Sequence, residues 1–287
     1  MQTRILFHSN ALLVVALWTL SFGLSAEALE IEITYSDTSP IPGFNDPVLG
    51  SQRQAAFQKA IDIWETHLQG TITVKITADF TNFPEPELGI LGSGLPASAS
   101  ANLTGLPLSN TWYHSPLASQ LRGVTSPAGS GPLVGFHMAI AFEDSLNTGP
   151  VGSGIFYYGL DGNPPVGDRD FVSVALHELG HCLGMAPLIN RDTGQWANLL
   201  DPDLDPPPAL LWGDIYSRHL TRTPNPVGGP TDIDFWDMFD AERLAAVTSD
   251  KSIGWVRPSW LRQSLPRHRR FLKLIPRVRF RCPPPAR

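Results

Sequence analysis

The feature that most constrains this chain is the run His177-Glu-Leu-Gly-His181, which lies in a stretch with helical spacing of apolar residues. Positions four apart stand one above the other on a helix, so His177 and His181 project their imidazoles from one face. Two imidazoles at that spacing suit one metal ion, and Glu178 lies one residue round the helix, where it faces a metal-bound water. From the chain's own His and Glu frequencies, roughly 0.01 such matches are expected by chance.

The residues around the motif indicate where its helix begins and ends. Asp168 or Asp170 can cap the N-terminus, and Gly184 can end the helix in a left-handed turn. Gly180 inside the helix costs about 1 kcal/mol relative to alanine. We therefore expect Gly180 to pack closely against another backbone.

The N-terminal segment is typical of an export signal. Arg4 and His8 precede a mostly apolar stretch over residues 11–26, and Ala26-Glu-Ala28 resembles a signal-peptidase site. The stretch is short for a membrane span, and no later segment approaches the roughly 20 apolar residues that a span requires. We expect a signal peptide over residues 1–28 and a secreted, periplasmic or extracellular chain with no transmembrane segment. An uncleaved anchor is the alternative.

Residues 29–255 are predicted to form one domain with two lobes. A hydrophobic fraction of 42% and a charged fraction of 17% suit one sizeable core. The chain has only two cysteines, Cys182 and Cys282, so no disulfide framework is expected despite export. Cys182 is predicted to be a small buried residue, and a bridge to Cys282 is the alternative.

Residues 256–287 form a segment of different composition. This tail holds ten of the 21 basic residues and none of the 27 acidic ones, so it carries +10 and the rest of the chain −16. We expect a disordered extension, rich in proline, or the product of a shifted reading frame. A basic arm for anionic partners is the alternative, and no nucleic-acid partner is expected.

Periodicity predicts the first elements of the domain. Apolar residues recur at helical spacing over residues 51–68, and Gly70 can stop that helix. Residues 71–80 alternate apolar and polar side chains, the pattern of a strand with one buried face.

The following segment is less regular. Residues 83–132 are rich in Pro, Gly and Ser, and only a short helix around residues 117–121 is predicted there. Residues 133–142 are predicted to form a second strand, with His137 on its surface side rather than in a metal site. We also expect this strand to lie at a sheet edge and to align a peptide substrate by main-chain hydrogen bonds.

This order of helix, strand, loop and strand, followed by His177-Glu-Leu-Gly-His-Cys-Leu-Gly184, resembles a secreted zincin-type metallopeptidase, nearer the metzincins than the thermolysin-like enzymes. The resemblance covers about residues 50–255 and is specific only around the motif. It implies an α+β fold with two lobes, a mixed sheet and an active-site helix. It also implies Zn²⁺ held by His177 and His181.

The chain departs from the metzincin pattern at the third ligand. The metzincin position for that ligand is Pro187 here, and proline carries no ligand atom. The candidates elsewhere are Asp192, Asp214, His219 and Glu242, and Tyr216 or His219 is a candidate donor to an oxyanion. We expect Asp201-Pro-Asp-Leu-Asp205 to be a solvated, stiff loop, because prolines follow where a calcium loop has glycine. A calcium site is the alternative.

The predicted function is that of a zinc-dependent endopeptidase acting on protein or peptide substrates. Glu178 would take the proton of a zinc-bound water as that water attacks the peptide carbonyl, and would then pass it to the leaving amine. One alternative is a secreted zincin-like binding module with an incomplete metal site. Another is a zinc hydrolase acting on a different bond. The sequence does not define the oligomeric state.

Overall fold

The described part of the chain begins at residue 27. The computed structural model describes residues 27–37, 43–83, 90–125, 135–146, 154–190, 192–196, 212–222, 233–237 and 239–248. Most of the predicted signal peptide, the Asp201–Asp205 run, Cys282 and the basic tail lie outside these ranges. Among the residues that are described, no helix combines the length and the apolar character needed to cross a bilayer.

Helices are interspersed among short strands along the chain in a mixed α+β arrangement. The α-helices are α1 (Gly50–His67), α2 (Ser115–Arg122), α3 (Phe171–Cys182) and α4 (Asp240–Thr248). The strands are β1 (Ile31–Tyr35), β2 (Val74–Thr81), β3 (Gly92–Pro96), β4 (Ala99–Ser100), β5 (Tyr113–His114), β6 (Met138–Glu143), β7 (Phe156–Tyr157), β8 (Arg169–Asp170), β9 (Thr221–Arg222) and β10 (Ile233–Asp234). The predicted α+β class with a mixed sheet is confirmed at this level.

The main sheet has four strands in the order β1-β2-β6-β3. β1, β2 and β6 run parallel, whereas β3 is antiparallel to β6, with Gly94 opposite Ile140. The prediction that residues 133–142 form an edge strand is therefore wrong, because β6 has partners on both sides. The edge next to β6 belongs to β3, in a segment where no strand was predicted.

The core lies between this sheet and helices α1 and α3. Alternate residues of β2 from Val74 to Phe80 are buried, as the period-two pattern predicted. α1 covers the predicted helix almost residue for residue, and Trp64 on α1 donates a hydrogen bond to the Leu176 carbonyl of α3 at 3.2 Å. Phe171, the first residue of α3, packs against Phe142 of β6 with ring centroids 4.6 Å apart. This packing fixes the motif helix against the sheet.

His137 differs from its predicted surface position. Its side chain is buried, and Nδ1 accepts a hydrogen bond from the Lys75 backbone N–H at 3.1 Å. Its carbonyl accepts hydrogen bonds from Ala97 and from the Ser115 hydroxyl. These bonds tie the backbone at the start of β6 to the segment between β3 and α2. His137 is a structural residue of the sheet and not part of the motif.

Candidate metal centre

Residues at both ends of helix α3 fix its position: Asp170 caps its N-terminus, and Cys182 is buried at its C-terminus. Asp170 is the N-cap, and its carboxylate accepts a hydrogen bond from the Ser173 backbone N–H at 3.0 Å. Of the two predicted caps, Asp170 is therefore the one used. Cys182 is fully buried at the other end and its thiol donates to the Ala139 carbonyl of β6 at 3.3 Å, which confirms its predicted burial.

The two motif histidines converge on one point. Their Nε2 atoms lie 3.0 Å apart, and their rings meet nearly at right angles. Two zinc–nitrogen bonds of about 2.0–2.1 Å allow the nitrogens to be at most about 4.2 Å apart, so both imidazoles fit one zinc ion. Partial burial and the neighbouring His181 lower the pKa of His177, which favours the neutral imidazole that binds metals.

The turn after α3 orients the second histidine. Gly184 has φ +101°, its N–H donates to the His181 carbonyl, and the Met185 N–H donates to the Gly180 carbonyl. These bonds form a Schellman motif, in which glycine accepts the left-handed conformation. The turn brings the Met185 carbonyl to 3.3 Å from His181 Nδ1. Because a carbonyl can only accept, Nδ1 carries the proton and Nε2 keeps its lone pair for a metal.

Glu178 is held in a narrow seat between α3 and β3. It is 7% exposed, and the Gly94 N–H donates to its carboxylate. Burial raises the pKa of Glu178 to about 7, and the Gly94 hydrogen bond opposes that rise. A carboxyl group with a pKa near neutrality can both accept and return a proton, which is what acid–base catalysis requires.

Two glycines make this seat possible. A Cβ added at Gly94 would lie 2.2 Å from the Glu178 carbonyl oxygen, and one at Gly92 would lie 3.0 Å from Glu178 Cγ. The backbone of α3 therefore comes closest to another backbone at Gly94 of β3. By contrast, a Cβ at Gly180 would meet only the side chains of Trp64 and Met185, at 3.6 and 3.8 Å. The prediction that Gly180 packs against a backbone is wrong.

Within the described residues, no strand pairs with the outer side of β3, and this open edge includes Gly94, which packs against the backbone of Glu178. Leu91 and Ala97 hydrogen-bond to the β6 side of the sheet. Since main-chain groups alternate in direction along a strand, the N–H and C=O of Gly92 and Gly94 point away from β6. Neither glycine was predicted to be functional, although the spacing of two in Gly92-Ser-Gly94 was a signal that a backbone approaches closely.

None of the four candidate third ligands joins the histidine pair. Among the described residues, no group of three His, Cys, Asp or Glu side chains is arranged to hold a metal. Asp192 is exposed, and Glu242 accepts a hydrogen bond from the Phe239 N–H at the start of α4. Asp214 is fully buried and accepts hydrogen bonds from protein groups, and burial lowers the pKa of His219 beside it.

Tyr216 also has a packing role. It contacts a small hydrophobic cluster around Trp196 and Leu220, and burial is the main cause of the raised pKa of its hydroxyl. The structure thus brings together the Nε2 atoms of His177 and His181, while the Glu178 carboxylate on the same helix lies at Gly94 of β3. No third ligand joins the histidine pair among the described residues. In the comparisons with known proteins, no family model, no curated protein and no solved structure matches this chain.

Proposed function

We propose that this chain is a zinc-dependent endopeptidase with a two-lobed, zincin-like fold. The observation that carries the proposal is the 3.0 Å approach of His177 Nε2 and His181 Nε2 on the helix that also carries the buried Glu178. The mixed sheet, with α3 packed under its antiparallel edge strand, supports the fold assignment. The N-terminal signal pattern supports a secreted, periplasmic or extracellular location.

His177 and His181 would hold the metal through Nε2, and Zn²⁺ bound there would supply a Lewis acid for a water molecule and a substrate carbonyl. Glu178 accepts the proton of the attacking water and then delivers it to the leaving amine. Its pKa of about 7 suits both transfers near neutral pH. The Gly94 N–H holds the carboxylate against β3 throughout.

The open edge of β3 is the proposed site for the substrate backbone. An extended peptide can add to a sheet edge through main-chain hydrogen bonds, and the outward N–H and C=O of Gly92 and the outward C=O of Gly94 are oriented for such bonds. The Gly94 N–H already bonds Glu178. A bound peptide would therefore lie directly against the general base.

A second candidate is a binding module that keeps the helix but has an incomplete metal site. The specific observation in its favour is that no third protein ligand lies with the histidine pair in the described ranges. Pro187 at the metzincin ligand position supports the same alternative. Two imidazoles alone bind zinc more weakly than the three protein ligands usual in catalytic zinc sites.

Metal content and peptidase activity of the purified chain test these candidates together. We expect about one zinc per chain and cleavage of a denatured protein substrate. Glu178→Gln should keep the zinc and lower the turnover by roughly 100-fold or more, because only the proton acceptor is lost. Asp192→Asn is the matched control on an exposed carboxylate, and it should leave turnover unchanged.

Three other outcomes would each contradict a different part of the proposed function. Full turnover by Glu178→Gln would rule out Glu178 as the base. A folded wild-type chain that retains no zinc would favour the binding module. Tight zinc binding without peptide cleavage would favour a zinc hydrolase that acts on another bond.

A further inference from the structure

Two buried residues far from the motif in sequence, His114 and Asp214, contact the turn that follows α3, and the buried Trp112 pairs with the Asp214 segment. We call Trp112, His114 and Asp214 the brace. The Trp112 N–H donates to the Gly213 carbonyl at 3.0 Å, and the Ile215 N–H donates to the Trp112 carbonyl at 2.9 Å. These bonds join the segment before α2 to the segment around Asp214, so the brace is one unit built from two parts of the chain.

Asp214 anchors the far end of the turn. Its carboxylate is 0% exposed and accepts hydrogen bonds from the Leu188 N–H at 2.8 Å, the Ser217 hydroxyl at 2.7 Å and the Ser217 N–H at 2.9 Å. Most of its acceptor capacity is therefore occupied by protein donors. This arrangement suits a carboxylate that orders backbone, and it leaves little capacity for a metal.

His114 supports the near end of the turn. Its ring lies so close to Gly184 that a Cβ there would come within 2.9 Å of His114 Nδ1. The imidazole is 1% exposed, and neither ring nitrogen has a hydrogen-bond partner within the described residues. Burial lowers the pKa of His114, whereas the charge of Asp214 opposes that shift. The His114 ring is thus neutral and packs directly against Gly184 in the left-handed turn.

The two contacts enclose the group that orients His181. Gly184 and Leu188 lie on either side of Met185, whose carbonyl accepts from His181 Nδ1. We propose that the brace positions the 184–188 turn so that the Met185 carbonyl holds His181 with Nε2 toward the metal. In this proposal Asp214 is a positioning residue and not the third ligand. The inference rests on the proposed function, because it assigns a role at the same metal site.

Asp214→Asn tests the inference, since asparagine keeps the shape but places an amide donor among protein donors. In metal-free protein we expect hydrogen exchange of the Leu188 amide to become about 10-fold faster. Zinc affinity, measured by competition with a chelator, should fall by about 10- to 100-fold, the usual effect of losing a group that orients a ligand. The absorption spectrum of the Co²⁺-saturated protein should stay unchanged, because the ligands are the same.

Asp192→Asn is the matched control and should alter none of these three measurements, because its side chain is exposed. A changed Co²⁺ spectrum in Asp214→Asn would make Asp214 a metal ligand and overturn the inference. So would faster Leu188 exchange with wild-type zinc affinity, because the turn would then not position His181.

If Asp214→Asn does not fold, a less disruptive substitution, Ser217→Ala, tests the same inference. Ser217→Ala removes one of the three hydrogen bonds to Asp214 and should weaken zinc binding by about 2- to 10-fold. Unchanged affinity in that variant would also overturn the inference. A wild-type chain without zinc affinity would contradict the proposed function and this inference with it. A zinc-binding wild type with an unaffected variant would contradict this inference alone.

Discussion

The Glu178 carbonyl oxygen and Gly94 lie so close that a Cβ at Gly94 would come within 2.2 Å of that oxygen. The contact joins the backbone of the motif helix to the backbone of the edge strand. Neither side can yield by changing a rotamer, because both are main chain. The distance between α3 and β3, and with it the seat of the Glu178 carboxylate, therefore depends on a residue without a side chain.

Gly94→Ala should separate α3 from β3. We expect a loss of at least about 2 kcal/mol in the free energy of unfolding, since overpacking against backbone is costly. Peptidase activity should fall with it, because the hydrogen bond from the Gly94 N–H to Glu178 is displaced. Urea unfolding and turnover measure the two effects. Ser93→Ala on the same strand is the control, and an equal loss there would contradict the close-packing account.

Gly180→Ala should have the opposite effect on stability. The nearest neighbours of an added Cβ are Trp64 at 3.6 Å and Met185 at 3.8 Å, which are ordinary contacts. Alanine is favoured over glycine inside a helix, so the free energy of unfolding should rise by about 0.5–1 kcal/mol. Urea unfolding of metal-free protein checks this, and a destabilised variant would show that α1 and α3 are packed more tightly than these distances indicate.

Zinc should stabilise the folded chain through the histidine pair. Ligand that binds only the folded state adds about 2.7 kcal/mol at a concentration 100 times its Kd. We therefore expect zinc to raise the thermal midpoint of the chelator-treated wild type. His181→Ala should abolish this rise, whereas Asp192→Asn should keep it. An equal rise in His181→Ala would place the zinc at another site.

His114 should make the metal-free protein sensitive to acid. Burial lowers its folded-state pKa below the ordinary 6.5, so the unfolded chain takes up a proton first as the pH falls. Its contribution to stability is full above pH 6.5 and is lost progressively below that value. His114→Gln should reduce the difference between urea midpoints measured at pH 7.5 and 5.5. The same difference in both proteins would show that His114 does not cause the loss.

Local sequence patterns predicted the elements that lie nearest the site. Asp170 caps α3 and Gly184 ends it in a left-handed turn, because both effects act within a few residues of chain. The alternation along β2 likewise gave its buried face. The strand β3 was not predicted, because its residues Gly-Ser-Gly-Leu-Pro have low strand propensity and only pairing with β6 makes them a strand.

The wrong predictions share a cause. His137 was assigned to a surface because alternation shows that two faces differ, but it does not show what covers the second face. The edge position of residues 133–142 failed for the same reason, since a strand has no edge or centre until its neighbours are known. A glycine in a helix indicates that another backbone could pack closely there, but it does not show that one does. The close backbone contact of α3 occurs at Gly94 of β3 and not at Gly180.

The sequence by itself determined the chemistry that α3 carries: two imidazoles at a spacing of four, a carboxylate beside the first, and a cap at each end of the helix. These are consequences of helix geometry and need no other part of the chain. Only the tertiary structure decided that β3 supplies the Gly94 N–H to Glu178, and that Asp214 is engaged with Leu188 and Ser217. Gly94 lies 84 residues before Glu178 and Leu188 lies 26 residues before Asp214, and hydrogen bonds across such distances arise only when the chain is folded.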